Sequence, residues 1–286
     1  MLDRIAVRRR FARAAPRYAG AARLEAEVGA RMLERLDYVK LDPARVLEAG
    51  CGPAREAAAL AERYPGAALV LLDVALPMLR IAQPARSMLA RLFSTKARFA
   101  VCADVERLPF ASGSIGLAWS NMALHWTVEP ARAIGELQRV LAPGGLLMFS
   151  TLGPDSLKEL RAAAGATRVH QFADMHDVGD LLVTAGFADP VMDAERLSVT
   201  YPAADALFAD LRASGQTCAL ARRVRSLTGR GFFARLRDAL EAGRSEARLA
   251  ITFEVVYGHA WKPLAPSRAS DGRAIVRFER QRPRGA

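Results

Sequence analysis

The chain has 286 residues, 51% of them hydrophobic and 25% charged, with 41 basic against 30 acidic side chains. That length and apolar share exclude disorder and suit one large α/β domain or a domain with a cap, while no apolar run approaches the roughly 18 residues that cross a bilayer. Only four of the basic residues are lysine, so the net charge of +11 reads in part as the arginine-rich usage of a GC-rich genome, and Cys51, Cys102 and Cys218 fit neither a disulfide framework nor a zinc motif.

Residues 1–17 hold six arginines and one aspartate. This arginine-rich, acid-poor start has the look of a transit peptide and lacks the apolar stretch of a secretory signal; the competing reading is a folded helix. Leu24, Val28, Met32, Leu33 and Leu36 recur at helical spacing, so a helix is expected over 20–40, broken at Asp42-Pro43. Arg45 to Ala49 is a short strand entering the turn Gly50-Cys51-Gly52-Pro53, with a helix over 54–64 behind it. Ala68 to Asp73 is an unbroken apolar run ending in a carboxylate, as in a strand buried on both faces of a parallel sheet. A helix at 78–83, strands at 99–104 and 115–121, a helix at 129–141 and a strand at 146–151 continue the alternation, which implies a doubly wound parallel sheet. Beyond it, helices are expected at 174–185 and 204–213, and strands at 251–257 and 274–278, with no linker between the halves. Basic residues gather again at 219–249 and 266–286, and outside these three clusters the chain is slightly acidic. Such clusters attract nucleic acid, anionic lipid or an acidic protein.

Ligands of open parallel sheets bind beyond the carboxyl ends of the strands, at the switch point. Glu48, Asp73, Asp104 and Asn121 all stand at such ends. Gly50 and Gly52 let the backbone approach a ligand where a Cβ would collide. Asp73 can accept from both hydroxyls of a ribose, and Asp104 from an exocyclic amine, with the next backbone N–H, on Val105, facing a ring nitrogen. Glu48 can face a cation near the first turn. A nicotinamide dinucleotide fits poorly: GxGxxG needs a glycine where Arg55 stands, and the acidic turn would repel a pyrophosphate. Ribose, adenine and a cationic centre together describe S-adenosylmethionine. The expected cofactor contacts are Glu48, Gly50, Cys51, Gly52, Asp73, Val74, Met78, Asp104, Val105 and Asn121. His170, Asp174 and His176 match no standard zinc spacing, and Asp174 suits a helix N-cap, so no metal is expected. Cys51 reads as a small spacer rather than a nucleophile.

The runs VLEAGCGPA, LLDVALPML, CADVERLPF, AWSNMALHW and VLAPGGLLMFST are similar to the seven-stranded S-adenosylmethionine-dependent methyltransferases over residues 45–151. RRRFARAAPRY at 8–18, SNMALHW at 120–126, FSTLGPDSLKELR at 149–161 and LRASGQT at 211–217 most resemble the malonyl-acyl-carrier-protein O-methyltransferases of biotin synthesis. That family's F-x-x-A-A-x-x-Y pattern is matched by Phe11, Ala14, Ala15 and Tyr18, which favours a folded N-terminal helix over a transit peptide. The chain departs from the pattern at Ala54, where a third glycine is usual, and at Ile115-Gly116, where Phe-Asp is common. Residues 199–223 and FEVVYGHAWK at 253–262 also resemble the methyltransferase-like assembly factors of mitochondrial complex I, an arginine-hydroxylase type that forms the alternative reading.

The resemblance implies a Rossmann-like seven-stranded α/β sheet with a helical cap in a single domain. Its parts would be an N-terminal helical cap over 1–40, a cofactor core over 41–155, and a substrate-side cap with the final strands over 156–286. It implies a carboxyl O-methyltransferase acting on a malonyl thioester of an acidic acyl carrier protein, monomeric and cytoplasmic, without membrane or nucleic-acid partners. The malonyl carboxylate is ionised at neutral pH and needs no general base; alignment with the methyl group supplies roughly 7–11 kcal/mol. Arg161, Arg168 and Arg212 are candidates to hold that carboxylate, Tyr18 to close the site, and His125 and Trp126 to line the acceptor side. The arginines around 222–237 form either a solvated helix face or the carrier's docking surface. A base-methylating enzyme is disfavoured, because Ser120-Asn121-Met122-Ala123 stands where such enzymes carry Asn/Asp-Pro-Pro-aromatic.

Overall fold

The computed structural model describes residues 1–83, 98–224, 226 and 228–264. The strand expected at 274–278 and the basic tail lie outside the described residues. Seven strands, β1 (Arg45–Ala49), β2 (Ala68–Asp73), β3 (Arg98–Cys102), β4 (Ile115–Ser120), β5 (Leu141–Leu152), β6 (Ala188–Tyr201) and β7 (Leu249–Trp261), form one sheet in the order β3-β2-β1-β4-β5-β7-β6. β1 to β5 are parallel, and β7 runs antiparallel between β5 and β6. The helices among the described residues are α1 (Arg4–Ala21), α2 (Arg23–Arg35), α3 (Ala57–Arg63), α4 (Leu76–Ala82), α5 (Pro130–Val140), α6 (Lys158–Ala164), α7 (Met175–Thr184), α8 (Ala204–Ala213) and α9 (Arg230–Glu241).

Side chains alternate across the sheet, and each face carries its own core. Val46, Leu69, Leu71, Leu117, Trp119 and Met148 point to one face, against α2, α3, α8 and α9 through Met32, Leu60, Leu207 and Leu240. Leu47, Val70, Leu72, Ala118, Leu147 and Phe149 point to the other, against α5 and α7 through Leu137 and Leu182. Burying each such side chain stabilises the fold by about 1.5–3 kcal/mol. The order of β3, β2, β1 and β4 makes the boundary between β1 and β4 the switch point, where chain connections leave toward opposite sides.

Two elements differ from the sequence expectation. The strand β6 was not anticipated, because an edge strand needs to bury only part of its surface and residues 188–201 carry no apolar run; half-buried and exposed positions nearly alternate along it. The helix expected over 20–40 is shorter: it is α2, which starts after a break at Ala22 and runs into a 3-10 turn at Leu36–Tyr38. The N-terminal segment is folded as α1. Asp3 caps it, its Oδ1 accepting from the Ala6 N–H at 3.0 Å, and Asp3 N donates to the Ala219 carbonyl at 2.8 Å. Arg223 Nη1 reaches Asp3 Oδ2 at 2.8 Å. The start of the chain is therefore pinned to the segment after α8.

Candidate functional site

The site begins at the turn after β1. Gly50, at φ +75°, could not carry a side chain there: its Cβ would come within 2.4 Å of the Ala123 Cβ. The N–H groups of Gly50 and Cys51 donate to the Leu72 carbonyl at 2.8 and 2.9 Å, fastening the turn to the end of β2. The Asp73 carboxylate completes the clasp, accepting from Gly52 N at 2.9 Å and Ala75 N at 2.7 Å. Burial raises its pKa above the usual aspartate range, and those two N–H donors oppose the rise.

Above this turn lies a cavity of about 100 Å³, bounded by the carboxyl ends of β1, β2 and β4 and roofed by α1. Eight of the ten expected cofactor residues line it: Gly50, Gly52, Asp73, Val74, Met78, Asp104, Val105 and Asn121. Glu48 and Cys51 do not; they stand behind the turn. Glu48 is buried and its Oε2 has no hydrogen-bond partner among the described residues. Burial, then the nearby acids Glu56 and Asp73, push its pKa well above the carboxylate range. The Cys51 thiol is likewise pushed up, by burial first and then Glu48, which leaves it a poor nucleophile. Asn121 lines the cavity but is chiefly a tie: Nδ2 donates to the Glu25 carbonyl at 2.8 Å and to Glu56 Oε1 at 3.2 Å, and Oδ1 accepts from Ser150 Oγ at 2.9 Å.

The roof was only partly foreseen. Arg4, Val7, Phe11 and Tyr18 fall on one stripe of α1 and all face the cavity. Arg4 Nε pairs with Asp104 Oδ2 at 2.9 Å, and its Nη2 with Glu106 Oε2. Tyr18 lies half-buried against the turn, its pKa raised by desolvation first and by Glu25 and Asp73 next, so it stays a neutral phenol. The spacing of 3, 4 and 7 along residues 4, 7, 11 and 18 was the signal available for Arg4 and Val7; Glu106, bound to the Val128 N–H at 2.5 Å, gave none.

A second, larger cavity of about 420 Å³ adjoins the first, and among the described residues Trp126 alone lines both. Its wall is mostly apolar, with Leu157, Leu160, Phe208, Phe232 and Leu236, and it carries Arg10, Arg168, Arg212 and Arg223. Arg168 and Arg212 thus line the same cavity as Trp126. Arg168 stacks 4.0 Å from the centre of the Phe232 ring and donates to Thr228 Oγ1 at 3.3 Å. Arg161 lines neither cavity. Its guanidinium donates to the carbonyls of Pro154 at 3.0 Å, Ser156 at 2.8 Å and His170 at 3.4 Å, holding the loop that enters α6. His125 also lines neither; it faces a separate cavity with Met1, Thr151 and Phe172. Burial, and then His170, lower its pKa to about 3, so it is uncharged at neutral pH. His170 Nε2 accepts from Ala219 N at 2.8 Å, and Asp174 caps α7 by accepting from His176 N at 2.8 Å.

These residues fit S-adenosylmethionine. The turn offers backbone where a Cβ would collide, Asp73 and Asp104 present carboxylates at the cavity wall, and the orphaned, acid-crowded Glu48 sits where a cation above the turn would relieve it.

Residues 47–149 match the model of a methyltransferase domain. Solved structures share the fold: a putative methyltransferase from Bacillus halodurans aligns with a TM-score of 0.58 at 18% identity, covering 82% of this chain and 98% of that one. The YcgJ protein from Bacillus subtilis aligns with a TM-score of 0.59 at 14% identity, covering 84% and 100%. Among curated relatives, the malonyl-[acyl-carrier protein] O-methyltransferase of Methylovorus sp. (strain MP688) is 50% identical over 290 residues, covering 100% of this chain and 97% of its own. That of Laribacter hongkongensis is 49% identical over 290 residues, covering 98% and 97%. With a cofactor turn of this geometry and identity of that order along its whole length, the chain belongs to the malonyl-[acyl-carrier protein] O-methyltransferases, a family of S-adenosylmethionine-dependent enzymes.

Proposed function

We propose that the chain methylates the free carboxylate of a malonyl thioester carried on an acyl carrier protein, giving the methyl ester. The observation that carries this reading is the meeting of two cavities at Trp126, one built for the cofactor and one apolar with arginines in its wall. Asp73 and Asp104 would hold the ribose and adenine, and the turn at Gly50 and Gly52 the methionine portion, with Glu48 behind it for the positive charge. Bound there, S-adenosylmethionine would supply a methyl group on a cationic sulfur for transfer to the carboxylate oxygen, the electrons of the broken carbon–sulfur bond staying on sulfur.

The protein's share is alignment and exclusion of water. No proton moves, because the attacking oxygen is already an anion at neutral pH. That agrees with the side chains present: desolvation holds the Tyr18 phenol and the His125 imidazole uncharged, so neither titrates near pH 7. The roof stripe of Val7, Phe11 and Tyr18 keeps water from the cofactor, and Trp126 fixes the boundary across which oxygen and methyl meet. Phe11 braces Trp126 edge-on, with ring centres 5.0 Å apart.

The carrier itself would dock at the mouth of the second cavity. Arg212 of α8, Arg222, and Arg230 and Arg235 of α9 are exposed there or beside it, around the partly exposed Phe233. Such a basic rim around an apolar spot suits the acidic surface of a carrier protein. The N-terminal cap, cofactor core and substrate-side cap would work as one domain, in the cytoplasm and as a monomer, in biotin synthesis.

The test is incubation with methyl-labelled S-adenosylmethionine and malonyl-carrier protein, followed by mass analysis of the carrier. A methyl ester should form, and Asp73→Ala should weaken cofactor binding by about 100-fold or more, since it removes both the ribose acceptor and the clasp on the turn. Tight cofactor binding without malonyl methylation overturns the reading.

A further inference from the structure

Resting on that reading, we propose that Arg10 of α1 receives the acceptor's free carboxylate and thereby makes the enzyme select an acid over a neutral acyl group. Four arginines line the second cavity; two are otherwise occupied and a third is exposed at the rim. Arg168 is stacked on Phe232. Arg223 is paired with Asp3. Arg212 lies exposed at the rim, where a carrier surface or a prosthetic-group phosphate would meet it. Arg10 alone combines partial burial with an unfinished set of bonds. Its Nη1 donates to Thr217 Oγ1, its Nε is buried without a hydrogen-bond partner, and no carboxylate pairs with it among the described residues.

Its position suits the chemistry. Arg10 precedes Phe11, which packs on Trp126, and its charge is felt at His170, whose ring centre lies 4.9 Å from that of Trp126. The guanidinium thus lines the same cavity as Trp126, the residue that borders the cofactor cavity, across which an oxygen awaiting a methyl group must stand. Burial, then Arg223, disfavour the charged guanidinium and lower its pKa, so an arriving carboxylate relieves a cost already built into the fold. Arginine is also the right cation: its planar fork can hold one carboxylate oxygen while leaving the other free to react.

Selectivity follows in both directions. An acetyl thioester leaves Arg10 unpaired and is disfavoured before reaction. The methyl ester has lost its charge, so the product surrenders the same contact and leaves.

The experiment measures binding of malonyl-carrier and acetyl-carrier protein to the wild type, Arg10→Gln and Arg10→Lys, with S-adenosylhomocysteine present so that no transfer occurs. The wild type should prefer malonyl by about 30-fold or more. Arg10→Gln should reduce that preference to roughly threefold or less, with S-adenosylhomocysteine affinity kept within about threefold, and Arg10→Lys should fall between. A merely structural arginine would weaken both carriers alike and leave their ratio intact. Full malonyl preference in the variants overturns the proposal, as does a wild type without the preference. Should Arg10→Gln fail to fold, Arg10→Lys decides on the same ratio. A wild type that fails to methylate malonyl-carrier in the preceding assay removes the functional reading itself, whereas success there with an unchanged ratio here removes only the role of Arg10.

Discussion

At the scale of single residues, the turn after β1 holds an unforeseen cost. Ala54 lies at φ +57°, a left-handed conformation that glycine adopts freely and that costs an L-residue roughly 1–2 kcal/mol. The resemblance marks Ala54 as standing where a glycine is usual, and its backbone angle gives the physical reason. Ala54→Gly should therefore stabilise the protein by about 0.5–1 kcal/mol after the extra entropy of the unfolded glycine is deducted, read as a rise of about 1–4 °C in melting temperature. Glu25 supplies a second residue-scale prediction. Burial lifts its pKa from 4.5 to about 7, against its hydrogen bonds to backbone and Gln216. A carboxyl raised in the folded state stabilises it fully below about pH 4.5, and the benefit is lost as pH rises through about 7. The loss is on the order of 3 kcal/mol. Glu25→Gln should gain stability relative to the wild type between pH 5 and pH 8 in chemical denaturation, and a constant difference across that range would contradict the assignment.

The strand-end residues were legible in sequence because a parallel strand announces its own carboxyl end: an apolar run stops at a polar residue, and topology then decides where it points. Glu48 and Cys51 were misplaced by one layer, since the same rule cannot say whether a side chain beside the turn faces the ligand or the core. Arg161 was unreadable for a different reason. A long cation near a site looks identical in sequence whether it meets a substrate or three backbone carbonyls.

Among the elements, α1 matters most. Its stripe of Arg4, Val7, Phe11 and Tyr18 roofs the cofactor cavity, while Ala15 rests with Met78 on α4. The helix carries Pro16 in its interior, which removes one backbone donor, yet the N-cap at Asp3 and the pin at Ala219 hold its start. Because the sheet buries its own core without α1, deletion of residues 1–21 should leave a folded protein with an intact far-UV spectrum. It should lose cofactor affinity by tenfold or more in calorimetry, through loss of the apolar roof. Retained affinity would show that the roof is dispensable. The helical period made this element readable once the transit-peptide reading was set aside, whereas β6, with charged residues at Asp193, Glu195 and Arg196, concealed its strand character.

Across the whole molecule, the basic residues surround rather than line the cofactor cavity, with Arg4 the cation in its wall among the described residues. Docking and chemistry are therefore separable by ionic strength. Raising salt from about 50 to 500 mM should increase KM for malonyl-carrier protein roughly tenfold, while KM for malonyl-pantetheine, which lacks the acidic protein, changes less than threefold. Equal sensitivity would place the carrier elsewhere. The alternation of strands and helices was enough to reveal the parallel half of the sheet. The antiparallel pairing of β6 and β7 was not, because nothing local encodes which edge a returning strand will choose.

Trp126 gives the molecule an optical property. The chain has three tryptophans: Trp119 is sealed inside the sheet, Trp261 ends β7, and Trp126 stands where the two cavities meet. Its indole emission should shift when either neighbour is filled, so fluorescence from one native side chain can follow cofactor loading and acceptor arrival as separate phases in a stopped-flow trace.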